Sequence, residues 1–452
     1  MTLMTPFPTQ LSGAAFLAAR KNALLADEPR VGKTGTAILA ADDNFETNIL
    51  VVTTASGRPV WRRAFANWQA FPRRVQVVGS GGVVGEPNVA IVSWAGVTNP
   101  KIRANLLKRK WDRVILDEGH AAKNFETART KAVYGKLVED GLMLDRGATV
   151  VSAAGGTWVL TGTPLPHDPS DIYPMMRALC PERLKADPAK GWPDVTRHKD
   201  FRDRYCIWKP KKLSRWNTII VIIGGKNEPE LRERIGDFML LRRQADVGIR
   251  PPVYETLPLA VSPATLREVN GNVDRHEVLA AARTGGTRDL EMHMGPLRRL
   301  TGEIKAHAVA EAVKDELDNG LDKIVLAYWH KSAGEILADK LSSYGVVGID
   351  GSTPANKRGE IEQAFLTDPK ARVFLAQIEA AAEAIDLSSA AVLWFVETTF
   401  SPRSMKQMSM RITNHTQKRQ AVVRVCVLEG SIDEALQEVL LRLWTTIREV
   451  LA

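Results

Sequence analysis

Cysteine is scarce: Cys180, Cys206 and Cys426 are the three in 452 residues, and they stand far apart with no histidine beside them. That spacing excludes a disulfide framework and a paired-cysteine zinc site. Long hydrophobic runs are also missing, none approaching the ~20 residues of a membrane span, so no membrane partner is expected. Met1 to Gln10 lacks a basic segment followed by an apolar core. No signal peptide is therefore expected, and a cytoplasmic location follows. No low-complexity tail or nuclease motif is visible in the sequence, so targeting is expected to come from the core itself or from a protein partner. What remains is ordinary globular composition, 44% hydrophobic and 25% charged, in a chain too long for one core and suited to two domains. The net charge of +9 permits a polyanionic partner without requiring one.

What is present begins with Leu24-Leu25-Ala26-Asp27-Glu28-Pro29-Arg30-Val31-Gly32-Lys33-Thr34-Gly35, an apolar run that becomes a turn and then a small-residue helix. It reads as a phosphate-binding loop. A nucleoside triphosphate needs backbone N–H groups at a helix N-terminus, a flexible lysine for its β- and γ-phosphates, and a hydroxyl for Mg²⁺. Gly32, Lys33 and Thr34 supply these in order, with Arg30, Val31 and Gly35 around them. The strict pattern has glycine five residues before Gly32, where this chain has Asp27. Upstream, Gln10 carries an amide able to pair with both the donor and the acceptor of adenine.

Asn48 to Thr54 reads as a buried strand. Arg58 to Trp68 reads as a helix whose Trp61, Ala64, Phe65 and Trp68 form one core-facing stripe. Val89 to Trp94 is another strand, and a basic helix follows around Lys101 to Lys110. Strands alternating with helices predict a parallel, doubly wound sheet, with ligands at the carboxyl ends of its strands. Trp111 to Asp117 is such a strand, and it ends in the acid pair Asp117-Glu118. In a Mg²⁺-nucleotide site the first acid, with Thr34, holds the metal, and the second orients and deprotonates the attacking water. Joined to the phosphate loop, this is a Walker-type ATPase pair.

At this point the chain resembles the superfamily-2 helicase-like ATPases, and within them the Swi/Snf-type double-stranded DNA translocases. Asp27 to Thr34 resembles motif I, Asp117-Glu118-Gly119-His120 with Lys123-Asn124 motif II, and Val159-Leu160-Thr161-Gly162-Thr163-Pro164-Leu165 motif III. Phe238 to Arg243 with Asp246-Val247 is similar to the segment that closes the first lobe. Lys323 to Trp329 resembles motif IV, Ile349 to Thr353 with Arg358 the segment after it, and Ala380 to Leu387 motif V. Gln407-Met408-Ser409-Met410-Arg411 resembles motif VI, and Gly430 to Glu434 the family's run-out. Leu297 to Lys305, ahead of motif IV, is nearest to the annealing-helicase branch, in a compact form that suits a bacterial or phage protein.

The resemblance implies an α/β fold of two RecA-like parallel-sheet lobes, the first at 1–255 with a helical insertion at about 168–237, the second at 301–452. An inter-lobe helical element is expected at 256–300. The implied cofactors are ATP and Mg²⁺, and the implied activity is DNA-stimulated ATP hydrolysis. Lys33, Asp117 and Glu118 would act with Gln407 and Arg411, the latter as an arginine finger from the other lobe. His120, Thr161 and Thr163 would couple the nucleotide to lobe movement. The implied partner is double-stranded or branched DNA, bound without sequence preference, with Thr54, Arg58, Ser93, Ser352 and Thr353 on its phosphates. Trp208 to Trp216, basic and aromatic, reads either as a DNA grip or as a solvated hairpin. Ile432 to Leu451 reads as a closing amphipathic helix.

Three positions depart from the family pattern. Asn414 stands where a second motif VI arginine is expected, Ala384 replaces a motif V glycine, and Arg30 replaces motif I's inner glycine. Either Arg411 suffices and the chain is an active translocase, or hydrolysis is weak and it is an ATP-gated DNA clamp or protein displacer. A strand-separating helicase is the remaining alternative. Arginine placed at 414 would discriminate translocase from clamp.

Overall fold

The computed structural model describes residues 4–79, 81–83, 85–136, 149–162, 164–165, 168–214, 217–270, 287–381, 385–399, 402–431 and 433–434. The fold is α/β with two RecA-like parallel-sheet lobes, which form two compact units, Met1–Val247 and Gly248–Ala452.

The strands of the first unit are β1 (Asn22–Leu25), β2 (Ile49–Thr53), β3 (Val75–Val77), β4 (Val89–Ser93), β5 (Trp111–Asp117), β6 (Ala154–Leu160), β7 (Cys206–Ser214), β8 (Asn217–Gly225) and β9 (Met239–Leu240). All but β7 and β8 join one parallel sheet in the order β3-β4-β2-β5-β6-β1-β9. Alternate side chains of each strand feed two separate cores. Leu24, Leu50, Val52, Val92, Val114, Leu116 and Val159 pack on one face, and Leu25, Ile49, Val51, Ile91, Ile115, Trp158 and Leu160 on the other. This period-2 division is what a sheet covered on both faces demands, and it explains the nearly unbroken apolar strand sequences. Helix Gly57–Trp68 buries Trp61, Ala64 and Phe65, the stripe its spacing predicts.

The insertion has the helices expected and a hairpin besides. It contains helices Tyr173–Leu179, His198–Tyr205 and Glu228–Ile235, but between the last two the chain folds back as the antiparallel hairpin β7–β8. Thr218 to Ile223 is a β-branched run with no helical period, which suits a strand.

The second unit is also all parallel. Strands β10 (Val253–Leu259), β11 (Ile324–Tyr328), β12 (Val346–Ile349), β13 (Val373–Gln377), β14 (Val392–Phe395) and β15 (Val422–Leu428) take the order β10-β15-β14-β11-β13-β12. The second unit thus starts at Gly248, ahead of the boundary at 255 read from the sequence. Residues 253–259, partly assigned to an inter-lobe helical element, are instead an edge strand paired with β15 along its whole length. Helices Pro263–Asn270 and Thr287–Asp318 follow within the same unit. The long helix buries Ala306, Val309, Ala310 and Val313 with β11 and β15 residues Leu326, Cys426 and Leu428. Lys305 on it is buried, 2.6 Å from Asp433 of the run-out, so the segment before motif IV and the segment after motif VI are tied by one ion pair.

Cys180, Cys206 and Cys426 are buried free thiols. Burial pushes Cys206 and Cys426 up to about 12, which leaves them protonated and inert. No helix among the described residues is long and apolar enough to cross a membrane. The closing helix expected from Ile432 to Leu451 falls almost wholly outside the described residues, as do Thr163, Ala384, Arg215 and Trp216.

Candidate nucleotide site

The loop begins where β1 ends, and the chain keeps pairing beyond the strand. Ala26 N–H donates to the Leu240 carbonyl at 2.7 Å and Glu28 N–H to that of Arg242 at 2.9 Å. Asp27 is fully buried, and Arg242 grips its carboxylate at two points, Nε to Oδ1 at 2.9 Å and Nη2 to Oδ2. The same guanidinium donates to the Thr9 carbonyl and the Ser12 hydroxyl. Gln244 adds two bonds, its backbone N–H to Glu28 Oε2 at 2.8 Å and its side chain to the Pro29 carbonyl at 2.9 Å. The loop is therefore held from outside, by residues some 215 positions later.

Gly32 then turns the chain into helix Lys33–Asp43 with φ 101°, a left-handed value that suits only glycine well. Thr36 N–H is bonded to the Gly32 carbonyl at 3.1 Å, so the N–H groups of Lys33, Thr34 and Gly35 form the open helix end. Arg30 is also left-handed, at φ 74°, a strain of about 1–2 kcal/mol for a residue with a Cβ. Lys33 Nζ rests on the loop's own acceptors, donating to the carbonyls of Asp27 at 2.7 Å and Glu28 at 3.2 Å. Gln10, buried, lies across the glycines: a Cβ on Gly32 or Gly35 would come within 2.6 or 2.8 Å of its Nε2. Its amide is engaged at both ends, accepting from Phe7 N–H at 3.0 Å and donating to the Gly32 carbonyl at 3.3 Å. It braces the loop, and pairing with adenine would require exchanging those two bonds.

Two strands away stands the acid pair. The register sets Leu25, Leu160 and Asp117 in one row across β1, β6 and β5. Asp117 is fixed through Oδ2, which accepts from the Thr53 hydroxyl at 2.6 Å and from Trp61 Nε1 at 2.9 Å. Trp94 Nε1 donates to its carbonyl at 2.9 Å. Glu118 takes φ 50°, another left-handed non-glycine residue, as the strand breaks into the turn Gly119–Ala122. His120 is buried, with Nδ1 2.9 Å from Thr161 Oγ1 and 3.2 Å from Glu118 Oε2. Histidine thus joins the end of β6 to the second acid.

In the second unit the strand ends are tied together in the same way. Gln377 at the end of β13 accepts from Gly351 N–H at 2.6 Å and donates to the Trp329 carbonyl at 3.2 Å. Buried Glu397 after β14 accepts from Trp329 N–H at 2.9 Å, from His330 N–H at 2.8 Å and from the His330 ring at 2.6 Å. Gln407, on helix Pro402–Ser409, and Arg411, in the turn Met410–Ile412, are both buried. Asn414 is committed to a turn. Its Oδ1 accepts from Thr416 N–H, Thr416 Oγ1 and Gln417 N–H, each at 2.8 Å, and its Nδ2 donates to Ser388 Oγ at 2.5 Å.

A family model described as the SNF2-related domain matches residues 9–263, more than half of the 452-residue chain. The chain belongs to the SNF2-related family. A second model, the helicase conserved C-terminal domain, matches residues 305–415 of this SNF2-related chain. It is 25% identical over 456 residues to the DNA annealing helicase and endonuclease ZRANB3 of Mus musculus, covering 96% of this chain and 40% of that protein. It is 27% identical over 445 residues to the SWI/SNF-related matrix-associated actin-dependent regulator of chromatin subfamily A-like protein 1 of Xenopus laevis, covering 95% and 42%. The chain thus spans about two fifths of the length of the curated relatives it matches. The solved Sulfolobus solfataricus SWI2/SNF2 ATPase core in complex with dsDNA matches over 97% of this chain and 92% of that one, at 18% identity and a TM-score of 0.44.

Within the SNF2-related fold, Arg30, Val31 and Gly32 form the loop, Lys33, Thr34 and Gly35 open the helix after it, Gln10 reaches it from helix Pro8–Ala18, and Asp117, Glu118, His120 and Thr161 lie along the neighbouring strand ends. Thr54 and Ser93 stand at the carboxyl ends of β2 and β4 and Arg58 in the first turn of helix Gly57–Trp68, each with a local bond. Gly57 N–H donates to Thr54 Oγ1 at 3.0 Å, Gly96 N–H to Ser93 Oγ at 3.0 Å, and Arg58 Nη1 to the Val78 carbonyl at 3.2 Å. Ser352 and Thr353 follow β12 and donate their hydroxyls to Asp350 at 2.8 and 2.7 Å. Sequence reasoning missed Arg242, Gln244 and Thr53 as site residues and took Trp61 only as core. The one available signal was the left-over Arg242-Arg243 pair after an apolar strand; the Thr53–Asp117 contact needs the sheet register.

Proposed function

We propose that this SNF2-related chain is an ATP-dependent double-stranded DNA translocase that remodels or reanneals DNA structures. The observation that carries the reading is the sheet row in which the loop after Leu25 and the acid Asp117 end level, two strand spacings or about 10 Å apart. One Mg²⁺-nucleotide can meet both ends of that row. The triphosphate takes the helix-end N–H groups, and its oxygens draw Lys33 Nζ off the carbonyls of Asp27 and Glu28.

Thr34 and Asp117 suit Mg²⁺ by donor chemistry, a hydroxyl and a carboxylate for a hard ion. Among the described residues donors reach only Oδ2 of Asp117, leaving Oδ1 for the metal or its water. A Mg²⁺ held there would offset phosphate charge. Glu118 orients and deprotonates the attacking water, and His120 relays its position to Thr161. Arg411, from the second unit, supplies the cation that meets charge developing on the γ-phosphate, with Gln407 beside it in motif VI. DNA phosphates are held by Thr54, Arg58, Ser93, Ser352 and Thr353 without sequence preference. The names of the relatives, a DNA annealing helicase and a regulator of chromatin, support this choice of polymer. A cytoplasmic location and a protein targeting partner belong to the same reading.

One observation favours the ATP-gated clamp as a second reading: Asn414 is spent on a turn and offers no second cation. Steady-state ATP turnover without nucleic acid and with single-stranded, duplex and forked DNA decides between them, with Lys33→Ala as the blank. Stimulation by duplex or forked DNA that disappears in Lys33→Ala is expected. Stimulation by single strands alone would indicate a strand-separating helicase, and ATP-dependent DNA binding without turnover would indicate the clamp.

A further inference from the structure

The hairpin of the insertion takes no part in the nucleotide site. Among the described residues β7 and β8 pair only with each other. Its root is fixed: Tyr205 and Cys206 are buried, the Tyr205 hydroxyl donates to Glu230 at 2.7 Å, and Trp208 Nε1 donates to Asp203 at 2.8 Å beneath the Arg202 guanidinium. Beyond the root both strands run in solvent, with Lys209, Pro210, Lys212, Ile219 and Ile220 all exposed.

The pairing Pro210 with Ile220 and Lys211 with Ile219 sets the two isoleucines on opposite faces of the ribbon, 43% and 38% exposed. Ile223 is 57% exposed. Neither face is therefore a core face. A two-stranded ribbon standing alone is marginal in water, and large apolar residues exposed on both faces weigh further against it unless something else covers them. Charge limits what that can be. Residues 206–225 contain Lys209, Lys211, Lys212 and Arg215 and no aspartate or glutamate.

The ribbon divides largely by strand: beyond the root the lysines lie on β7 and the isoleucines on β8, with Ile207 of β7 at the root. Its partner must carry anionic charge along one track and apolar faces along the next, at a spacing a ribbon roughly 30 Å long can follow. DNA whose bases are partly unstacked has both. A two-stranded ribbon fits a DNA groove, and isoleucine is among the side chains that wedge between base steps. A continuous duplex offers its phosphates but keeps its base faces stacked.

The geometry points to the β7–β8 ribbon as a second DNA-contact site that holds branched or frayed DNA, with the lysines of β7 on the backbone and the isoleucines of β8 against unstacked bases. It rests on the DNA-binding reading above and adds to it the structure of the DNA preferred.

The test uses the full chain without nucleotide, with fluorescence anisotropy on a fully paired duplex and on a fork of the same composition across a salt series. Ile219→Ser/Ile220→Ser is expected to weaken fork binding about tenfold, to leave the duplex within about twofold, and to leave the salt slope unchanged. Lys209→Glu/Lys212→Glu is expected to weaken the fork and to reduce its slope of log K against log salt by about 2. Both variants should melt with the parent and keep its DNA-free ATP turnover, because all four side chains are exposed and outside the nucleotide loop. Unchanged fork preference in the isoleucine variant overturns the inference while leaving the DNA reading intact. An equal loss on duplex and fork, or a parent dimer that the isoleucine variant dissolves, also overturns it. A parent chain that binds neither DNA overturns both.

Discussion

Arg242→Met is the substitution whose cost can be worked most directly from the structure. Asp27 is wholly buried, and its carboxylate is met by Arg242 at both oxygens. Removing the guanidinium leaves a buried charge without its counter-ion, which costs about 3–5 kcal/mol. It also strips a donor from the Thr9 carbonyl and the Ser12 hydroxyl. For a unit of this size each kcal/mol moves Tm by about 2–4 °C, so the first unit should melt roughly 6–20 °C lower. The control is Asp27→Leu/Arg242→Met, which removes both charges and leaves an apolar pair. Replacing a buried ion pair with apolar residues is often neutral, so the double variant should recover most of the lost stability. Calorimetry of the full chain reads both numbers, and nucleotide affinity should fall in the single variant because the loop's brace on the Leu240–Gln244 segment is cut. A drop of less than about 3 °C in the single variant, or a double variant no more stable than the single, would refute the reasoning.

Two further outcomes follow from other parts of the molecule. Asn414→Arg should destabilise the second unit by about 1–3 kcal/mol, because three donors lose the acceptor Oδ1, and should not raise ATP turnover; a melt matching the parent with faster turnover would contradict this. The Thr353 hydroxyl, aided by Ser352, holds the Asp350 carboxyl below the usual carboxylate range. A lowered folded-state pKa stabilises fully above the unfolded value near 4 and loses that contribution as pH falls through the folded value. Acid unfolding followed by circular dichroism should therefore begin at higher pH in Thr353→Ala than in the parent, and coincident transitions would count against the turn's role.

The Asn414 result also alters how that position reads. In the sequence it is a missing cation, and arginine there looks like a restoration. In the fold it closes a turn that arginine, a donor with no acceptor, cannot close. The hairpin gives the opposite lesson. Its basic and β-branched residues are plain in the sequence, yet nothing local says that both faces stay uncovered, since burial belongs to the surroundings of a strand.

With the second lobe implied by the family resemblance, the sequence by itself determined the Gly32-Lys33-Thr34 turn into a small-residue helix, the acid pair at a strand end and the parallel sheet of the first lobe. These depend on short-range facts: which residue types follow one another, and whether apolar positions repeat every two or every three to four residues. Only the tertiary structure decided that Arg242 neutralises Asp27, that Thr53 and Trp61 fix Asp117, that Gln10 braces the glycines, and that residues 253–259 belong to the second sheet. Each of those contacts joins positions far apart in the chain through strand order and register, which a one-dimensional pattern of residue types leaves open.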